Sequence, residues 1–115
     1  MSRKSHNRRR SGPAPQAVLF AALGDKTRLA LVARLVSGQP VSISQLTAGS
    51  QLTRQAITKH LRVLERAGLV RSVRAGRENR FALDPRPLHA MQTYLDRVSH
   101  HWDQALLRLK AFVET

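Results

Sequence analysis

The sequence predicts a mainly α fold with a small β-hairpin and a long C-terminal helix. Apolar residues recur at helical spacing between residues 52 and 70, and Gly68 ends that pattern. Two short Arg-rich segments, 69–74 and 80–83, follow with the alternation of β-strands. Helix, glycine stop and basic hairpin in this order are typical of a winged helix-turn-helix, in which one helix enters the DNA major groove.

The first half of the chain has signals for three helices before this one. A helix over residues 15–23 ends at Gly24, and Asp25 is a suitable N-cap for a second helix reaching about residue 36. Residues 37–40 form a turn, Ser42 caps a short helix over 43–47, and residues 48–50 make the tight connection. The core candidates of the first two helices are Val18, Leu19, Ala22, Leu23, Leu29, Leu31, Val32, Leu35 and Val36.

The predicted recognition helix, residues 54–67 with Thr53 as its N-cap, has two different sides. The apolar side consists of Ala56, Ile57, Leu61 and Leu64, and the polar side of Gln55, Thr58, Lys59, Arg62 and Arg66. Arg54, Gln55 and Thr58 are predicted base contacts, because residues near the start of such a helix reach deepest into the groove. Lys59, His60 and Arg62 are predicted phosphate contacts. Three alternatives stay open: His60 as a packing residue, Arg66 as a solvated charge, and Thr53 as a cap only.

The hairpin supplies further basic groups. Alternation places Val73, Phe81 and Leu83 inward, and Arg71, Arg74, Arg77 and Arg80 outside or at the tip formed by residues 75–79. Arg74 and Arg77 are predicted to reach phosphates or the minor groove, whereas Arg80 has Glu78 as an alternative partner. Ser42 and Ser44 are candidate phosphate donors near a helix N-terminus, although capping explains Ser42 without DNA.

Length and charge restrict the protein class. The chain has 115 residues, enough for one domain with a single modest core, and its net charge of +13 predicts a polyanionic partner. Residues 1–13 form a predicted disordered basic arm, either a solubilising tail or a DNA-following segment, before a DNA-binding region at 14–86. The absence of cysteine excludes thiolate sites, no stretch is long enough for a membrane span, and we expect a cytoplasmic protein without a cofactor.

The last segment, residues 87–115, is predicted to be a dimerisation helix that begins near Pro87. Its apolar residues follow an uninterrupted heptad pattern: Leu88, Met91, Leu95, Val98, Trp102, Ala105, Leu109 and Phe112. A helix of about 26 residues spans about 39 Å, more than a small core can cover, so a second copy of the chain is the simplest cover. The predicted dimer interface comprises Val18 and Leu19 together with the heptad residues Leu88, Met91, Leu95, Val98, Trp102, Leu109 and Phe112.

With these motifs, the chain resembles the ArsR-type (arsenic-repressor-like) winged helix-turn-helix regulators of bacteria. The matching segments are Phe20-Ala-Ala-Leu-Gly-Asp-Lys-Thr-Arg-Leu29, residues 52–70 with their Thr-Lys-His-Leu-Arg-Val-Leu core, and the Gly76-Arg77 turn. The resemblance implies a homodimeric repressor that binds an inverted-repeat operator in double-stranded DNA and is released by an effector. The effector cannot be named from the sequence.

The two metal sites of that family are only partly represented. Its Cys-x-Cys segment corresponds to Val41-Ser42-Ile43-Ser44, which excludes thiolate sensing there because a serine hydroxyl is a poor ligand for soft metals. Its second site, on the dimer helix, is matched by His89, His100 and Asp103, but Pro87 stands where the fourth ligand is required. A zinc-sensing repressor is therefore the alternative, and surface histidines without a metal are the preferred interpretation.

Other classes of function compete less well. An enzyme is not expected, because the chain has no glycine-rich phosphate loop and no plausible Ser/His/Asp set. A nonspecific nucleoid or RNA-binding protein would carry the same charge but would not need a mixed polar recognition face. A winged-helix adapter that binds protein would not depend on Arg62 and Arg77.

Overall fold

The computed structural model describes residues 15–114 and contains five helices and three strands within that range. The helices are α1 (Pro15–Leu23), α2 (Lys26–Arg34), α3 (Ile43–Ala48), α4 (Arg54–Arg66) and α5 (Pro85–Glu114); the strands are β1 (Val41–Ser42), β2 (Val70–Ala75) and β3 (Glu78–Leu83). The predicted basic arm lies outside the described residues. Within them, no helix is long and apolar enough to cross a membrane.

The helix starts follow the capping signals in the sequence. The Asp25 carboxylate accepts from the Arg28 N–H at 3.0 Å, and the Thr53 hydroxyl accepts from the Ala56 N–H at 3.0 Å. Ser42 and Gln45 form a reciprocal capping box at the start of α3. All three predicted N-caps are confirmed.

Helix α2 is shorter than predicted, ending at Arg34 rather than near residue 36. Val36, predicted to be a core residue, lies beyond the helix and is 70% exposed, and Leu29 is 55% exposed on the outer side of α2. Both core predictions were wrong for the single chain. The turn after α2 uses Gly38 at φ 86°, a left-handed conformation that glycine adopts without steric cost.

The sheet is antiparallel and has three strands in the order β1-β3-β2, one more than the predicted hairpin. β1 is two residues long and pairs Val41 with Phe81 and Ser42 with Arg80. The hairpin strands extend further than predicted because the turn contains only Gly76, at φ 65°, and Arg77. Phe81 and Leu83 are buried as predicted, whereas Val73 is only partly buried.

The four helices α1, α2, α3 and α4 and the sheet share one apolar core. Its largest fully buried side chains are Leu35, Leu46, Ile57, Leu61, Leu64, Leu69 and Phe81. The inward stripe of α4 therefore packs as predicted, and this fixes the orientation of its other side. The helix ends at Arg66 and is capped by Ala67, and Gly68 follows with φ 86°, as the glycine stop in the sequence indicates.

Helix α5 begins at Pro85, two residues before the predicted Pro87, and contains 30 residues. Its first turns pack against α1, where the Phe20 and Tyr94 ring centroids lie 6.0 Å apart. Met91 is the residue of α5 that is buried in the described part of the chain. The remainder of α5 extends beyond the core, and most of its apolar residues are exposed, whereas Val98 and Ala105 are partly exposed.

Candidate nucleic-acid interface

The side of α4 that faces away from the core lines an open groove of about 820 Å³. The groove residues are Arg54, Gln55, Thr58, Lys59, Arg62, Val63 and Arg66. Ile57, Leu61 and Leu64 on the opposite side have no exposed surface. Because the apolar side is fixed by packing, the amide, hydroxyl and cationic groups are held together on one outward surface.

The three predicted base contacts at the start of α4 differ in how their side chains are held. Gln55 is exposed, and the Thr58 hydroxyl donates to the Arg54 carbonyl at 2.8 Å, which orients its methyl group and oxygen. The Arg54 guanidinium instead donates to the Ser44 hydroxyl at 2.9 Å. Arg54 thus leans toward α3, Gln55 is the less constrained group for reading base edges, and Thr58 keeps its hydroxyl oxygen as an acceptor.

Arg62 belongs to a network between α4 and the sheet. Its guanidinium lies 2.7 Å from a Glu65 carboxylate oxygen and 5.7 Å from the centroid of the Phe81 ring. The Ser72 hydroxyl of β2 donates to the other Glu65 oxygen at 2.8 Å. The hydrogen bond from Arg62, followed by that from Ser72, holds the pKa of Glu65 below its ordinary value. This network attaches the recognition helix to the hairpin.

The structure places His60 outside the groove. Its Nδ1 lies 3.4 Å from Arg28 Nη1 and 3.8 Å from an Asp25 carboxylate oxygen. The same Arg28 donates through Nε to the Ala22 carbonyl at 2.6 Å. The Arg28 backbone hydrogen bond is the main cause of the lowered pKa of Asp25. This arrangement favours the alternative that His60 is a packing residue, which joins α4 to the start of α2.

Ser42 is a correction to the predicted phosphate donors. The residue is 3% exposed, and its hydroxyl accepts from the Gln45 N–H at 3.1 Å and donates to the Gln45 side chain at 3.2 Å. Its hydrogen-bonding capacity is used by the capping box, which the sequence had offered as the alternative. Ser44, by contrast, is exposed beside Arg54. Thr53 is exposed and caps α4.

The hairpin, hereafter the wing, presents its arginines outward. Arg77 is exposed at the turn, and Arg74 Nε donates to the Gly76 carbonyl at 3.1 Å, which steadies that turn. Arg80 pairs with Glu78 at 3.1 Å, as the sequence alternative proposed. Arg77 and Arg74 are therefore the wing cations closest to the tip.

The histidine-based metal alternative gains no support from the single chain. His89, His100 and Asp103 are exposed at separate positions along α5. Among residues 15–114, no cluster of three or more histidine, aspartate or glutamate side chains could hold a metal ion.

The predicted dimer surface divides into two parts. Leu19 and Met91 are 7% and 5% exposed in the core of their own chain, so little of either side chain is left to contact a second chain. Leu88 is partly buried against the same core, Val98 is partly exposed, and Val18 is 37% exposed. Leu95, Trp102, Leu109 and Phe112 are 51%, 65%, 58% and 79% exposed. The heptad pattern is thus covered at its start and exposed further along α5.

The sequence reasoning missed the roles of Glu65, Ser72 and Arg28. The spacing of Arg62 and Glu65, three residues apart on a helix, would have indicated their ion pair. Nothing local predicts the contacts of Ser72 with Glu65 or of Arg28 with His60, because each joins elements that only the tertiary fold brings together.

Comparison with known proteins agrees with this geometry. Residues 23–73 match the family described as a helix-turn-helix domain. The HTH-type transcriptional regulator Rv2034 of Mycobacterium tuberculosis is 41% identical over 87 residues, which cover 76% of this chain and 78% of the relative. The uncharacterized HTH-type transcriptional regulator YuzN of Bacillus subtilis is 40% identical over 76 residues, covering 61% of this chain and 83% of YuzN.

Solved structures extend the likeness to the whole fold. An ArsR-like transcriptional regulator from Rhodococcus sp. RHA1 has a TM-score of 0.75 at 37% identity, covering 85% of this chain and 92% of that one. A cadmium metal-sensor from Mycobacterium tuberculosis has a TM-score of 0.54 at 36% identity, covering 67% of this chain and 79% of that one. Sequence, packing and these relatives together show that the chain belongs to the ArsR-like family of helix-turn-helix transcriptional regulators, DNA-binding proteins that are not enzymes.

Proposed function

We propose that this regulator is a homodimeric, sequence-specific repressor that binds an inverted-repeat operator and acts in the cytoplasm. The observation that carries the proposal is the two-sided α4. Ile57, Leu61 and Leu64 on its apolar side are fully buried, while a groove on the other side collects an amide, a hydroxyl and several cations. A nonspecific coating protein needs the cations, but it does not need the amide and hydroxyl presented at the start of the helix.

Gln55 and Thr58 are the proposed base contacts, and Lys59 is a proposed phosphate contact. Gln55 can pair with adenine through its amide, and Thr58 offers a hydroxyl oxygen and a methyl group. Arg62 remains a proposed phosphate contact, since 44% of its side chain is exposed despite its pairing with Glu65. In the wing, Arg74 and Arg77 are proposed to contact the backbone or the adjacent minor groove.

The exposed heptad residues of α5 support the dimer. Leu95, Trp102 and Leu109 recur on one side of the helix, and each is at least half exposed. Burying such a seam against a second copy removes it from water, and a two-fold dimer presents two recognition helices to an inverted repeat. Half-sites are then expected about 10 to 10.5 base pairs, or a multiple, apart.

Repression and release by an effector are proposed from the family alone. The Mycobacterium tuberculosis relative described as a cadmium metal-sensor shows that the fold is compatible with metal sensing. This chain has no cysteine, so a thiolate site is excluded as the means of sensing. The effector is therefore proposed to be something other than a thiolate-bound metal.

The test is binding of the purified protein to its own upstream intergenic DNA at about physiological salt, with excess random competitor DNA. The decisive variant is Gln55→Ala combined with Lys59→Ala. Its matched control is Gln104→Ala combined with Lys110→Ala, which changes the same residue types at exposed positions of α5.

Specific binding is expected for the wild type and the control variant and is expected to be lost in the Gln55/Lys59 variant. Binding that competitor removes from all three proteins would contradict the proposal. A basic nucleic-acid-coating protein would then be the better account.

A further inference from the structure

A small depression separates the start of α4 from the tip of the wing. It has a volume of about 200 Å³, and its outward residues include Ser44, Arg54, Arg77 and Asn79. Pairing of Ser42 with Arg80 brings the start of α3 beside the start of β3. The walls of the depression are therefore formed by α3, α4 and the wing. The depression is distinct from the groove along α4, with which it shares only Arg54.

One cation of this depression is held by a hydrogen bond, and the other is carried on a tight turn. Arg54 is held by the 2.9 Å hydrogen bond to Ser44, which uses one of the five N–H groups of its guanidinium. Arg77 is carried by a two-residue turn that Gly76 makes possible and Arg74 steadies. The Arg54 guanidinium is thus oriented, and Arg77 lines the depression from a turn of restricted backbone geometry on the other side.

The only carboxylate in the lining, Glu78, is paired with Arg80 at 3.1 Å. Its charge is thereby offset by a cation outside the depression. Two guanidinium groups, a hydroxyl and an amide remain as the surrounding polar chemistry, which suits a tetrahedral oxyanion with several acceptor oxygens.

We propose that Ser44, Arg54 and Arg77 form a clamp for one phosphodiester group of the DNA backbone. The inference rests on the proposed DNA-binding function and deepens it by assigning Arg54 to the backbone instead of to a base. The clamp joins the recognition helix and the wing to the same phosphate, and so it fixes how deeply Gln55 and Thr58 enter the groove.

The shared phosphate makes a quantitative prediction about salt. The slope of log affinity against log salt concentration falls by about 0.9 for each phosphate that the protein no longer neutralises. With Arg54→Gln or Arg77→Gln alone, the other guanidinium still neutralises the phosphate. Each single variant should therefore bind about tenfold more weakly with little change in slope. The double variant gives up one phosphate in each half of the proposed dimer, so its slope should fall by about 1.8.

The experiment measures affinity for the wild type's own binding site at several salt concentrations for these three variants. Arg97→Gln, which removes one exposed arginine from α5, is the charge-matched control and should leave the slope unchanged. Ser44→Ala should weaken binding without altering the slope, because it loosens Arg54 but removes no charge.

The clamp is overturned if each single variant lowers the slope by about 1.8 and the double by about 3.6, since the two arginines of each protomer then neutralise separate phosphates. It is equally overturned if neither arginine affects binding. Failure of the wild type to bind specifically would instead reject the proposed function, which keeps the two failures distinguishable.

Discussion

The winged part of the chain (residues 15–84) and the outer part of α5 (residues 95–114) have equally regular apolar patterns. The apolar side chains are buried in the first and exposed in the second. In the winged part, Leu61, Leu64 and Phe81 have no exposed surface. In the outer part of α5, Leu95 and Trp102 are 51% and 65% exposed at heptad positions. The difference arises because neighbouring elements of the same chain cover α4, whereas α5 extends beyond the first turns that pack on α1.

The comparison shows that an apolar pattern specifies a face but not what covers it. The covered face makes the winged part self-sufficient, so its stability should be independent of protein concentration. In the proposed dimer a second copy covers the exposed face of α5, so the order of its outer part should rise with protein concentration.

Leu61→Ala should lower the free energy of unfolding by about 2–5 kcal/mol, because it leaves a cavity in a fully packed core. The matched control is Leu107→Ala on α5, a 59% exposed leucine outside the heptad seam, which should change stability by about 0.5 kcal/mol or less. Urea unfolding followed by circular dichroism measures both. Equal losses for the two variants would break the distinction between covered and exposed apolar residues.

Leu95→Glu should convert the dimer to a monomer, with a rise of about a hundredfold in the dimer dissociation constant, because it places a charge in the apolar seam. Sedimentation velocity over a range of protein concentrations measures the change. Leu107→Glu introduces the same charge outside the seam and should leave the dimer intact. A Leu95→Glu protein that sediments as the wild type does would show that this part of α5 is not the dimer contact.

Glu65→Gln should weaken the attachment of α4 to the wing by about 0.5–1.5 kcal/mol, since it removes the charge that Arg62 and Ser72 both contact. A double-mutant cycle with Ser72→Ala, measured by chemical denaturation, isolates the part that crosses between the elements. A coupling energy of zero would mean that the hydrogen bond between Ser72 and Glu65 does not hold the wing.

Much of the fold was accessible from the sequence because local chemistry determines it. Asp25, Ser42 and Thr53 each cap the helix that their side chains predict. The helical spacing of the apolar residues in α4 predicts its buried stripe correctly. The errors concern features that local chemistry does not determine. Strand β1 exists only because β3 lies beside it, and Leu29 fits a helical stripe but is 55% exposed among residues 15–114.

The candidate site follows the same division. The polar side of α4 was predicted as a set, since helical spacing alone places its members together. The individual roles of three residues of α4 changed with the contacts that they make in the structure. Arg54 leans on Ser44, Arg62 pairs with Glu65, and His60 faces Asp25 and Arg28. The spacing of Arg62 and Glu65 gives a local signal for their pair. The partners of Arg54 and His60 lie on elements distant in sequence, and such contacts have no periodic signal.

Acidification should change stability least, through the Asp84 carboxylate at the junction between the wing and α5. Hydrogen bonds from the side chain and the backbone of Arg86 lower the pKa of Asp84 from 3.8 to about 2. Because the folded protein holds this proton less tightly than the unfolded chain, the carboxylate stabilises the fold above pH 3.8. That contribution declines as the pH falls toward about 2, where the carboxylate is protonated in the folded protein as well.

Asp84→Asn keeps an oxygen for the Arg86 N–H but removes the charge and one of the two oxygens that accept from the Arg86 guanidinium. It should lower stability at neutral pH, and its difference from the wild type should shrink as the pH falls toward about 2. Asp96→Asn removes the same charge from an exposed position of α5 and tests whether the loss reflects the ion pair or merely the net charge of +13. Thermal unfolding between pH 2 and pH 7 measures both variants. A loss for Asp84→Asn that is independent of pH would mean that packing at the junction, and not the carboxylate charge, joins α5 to the winged part.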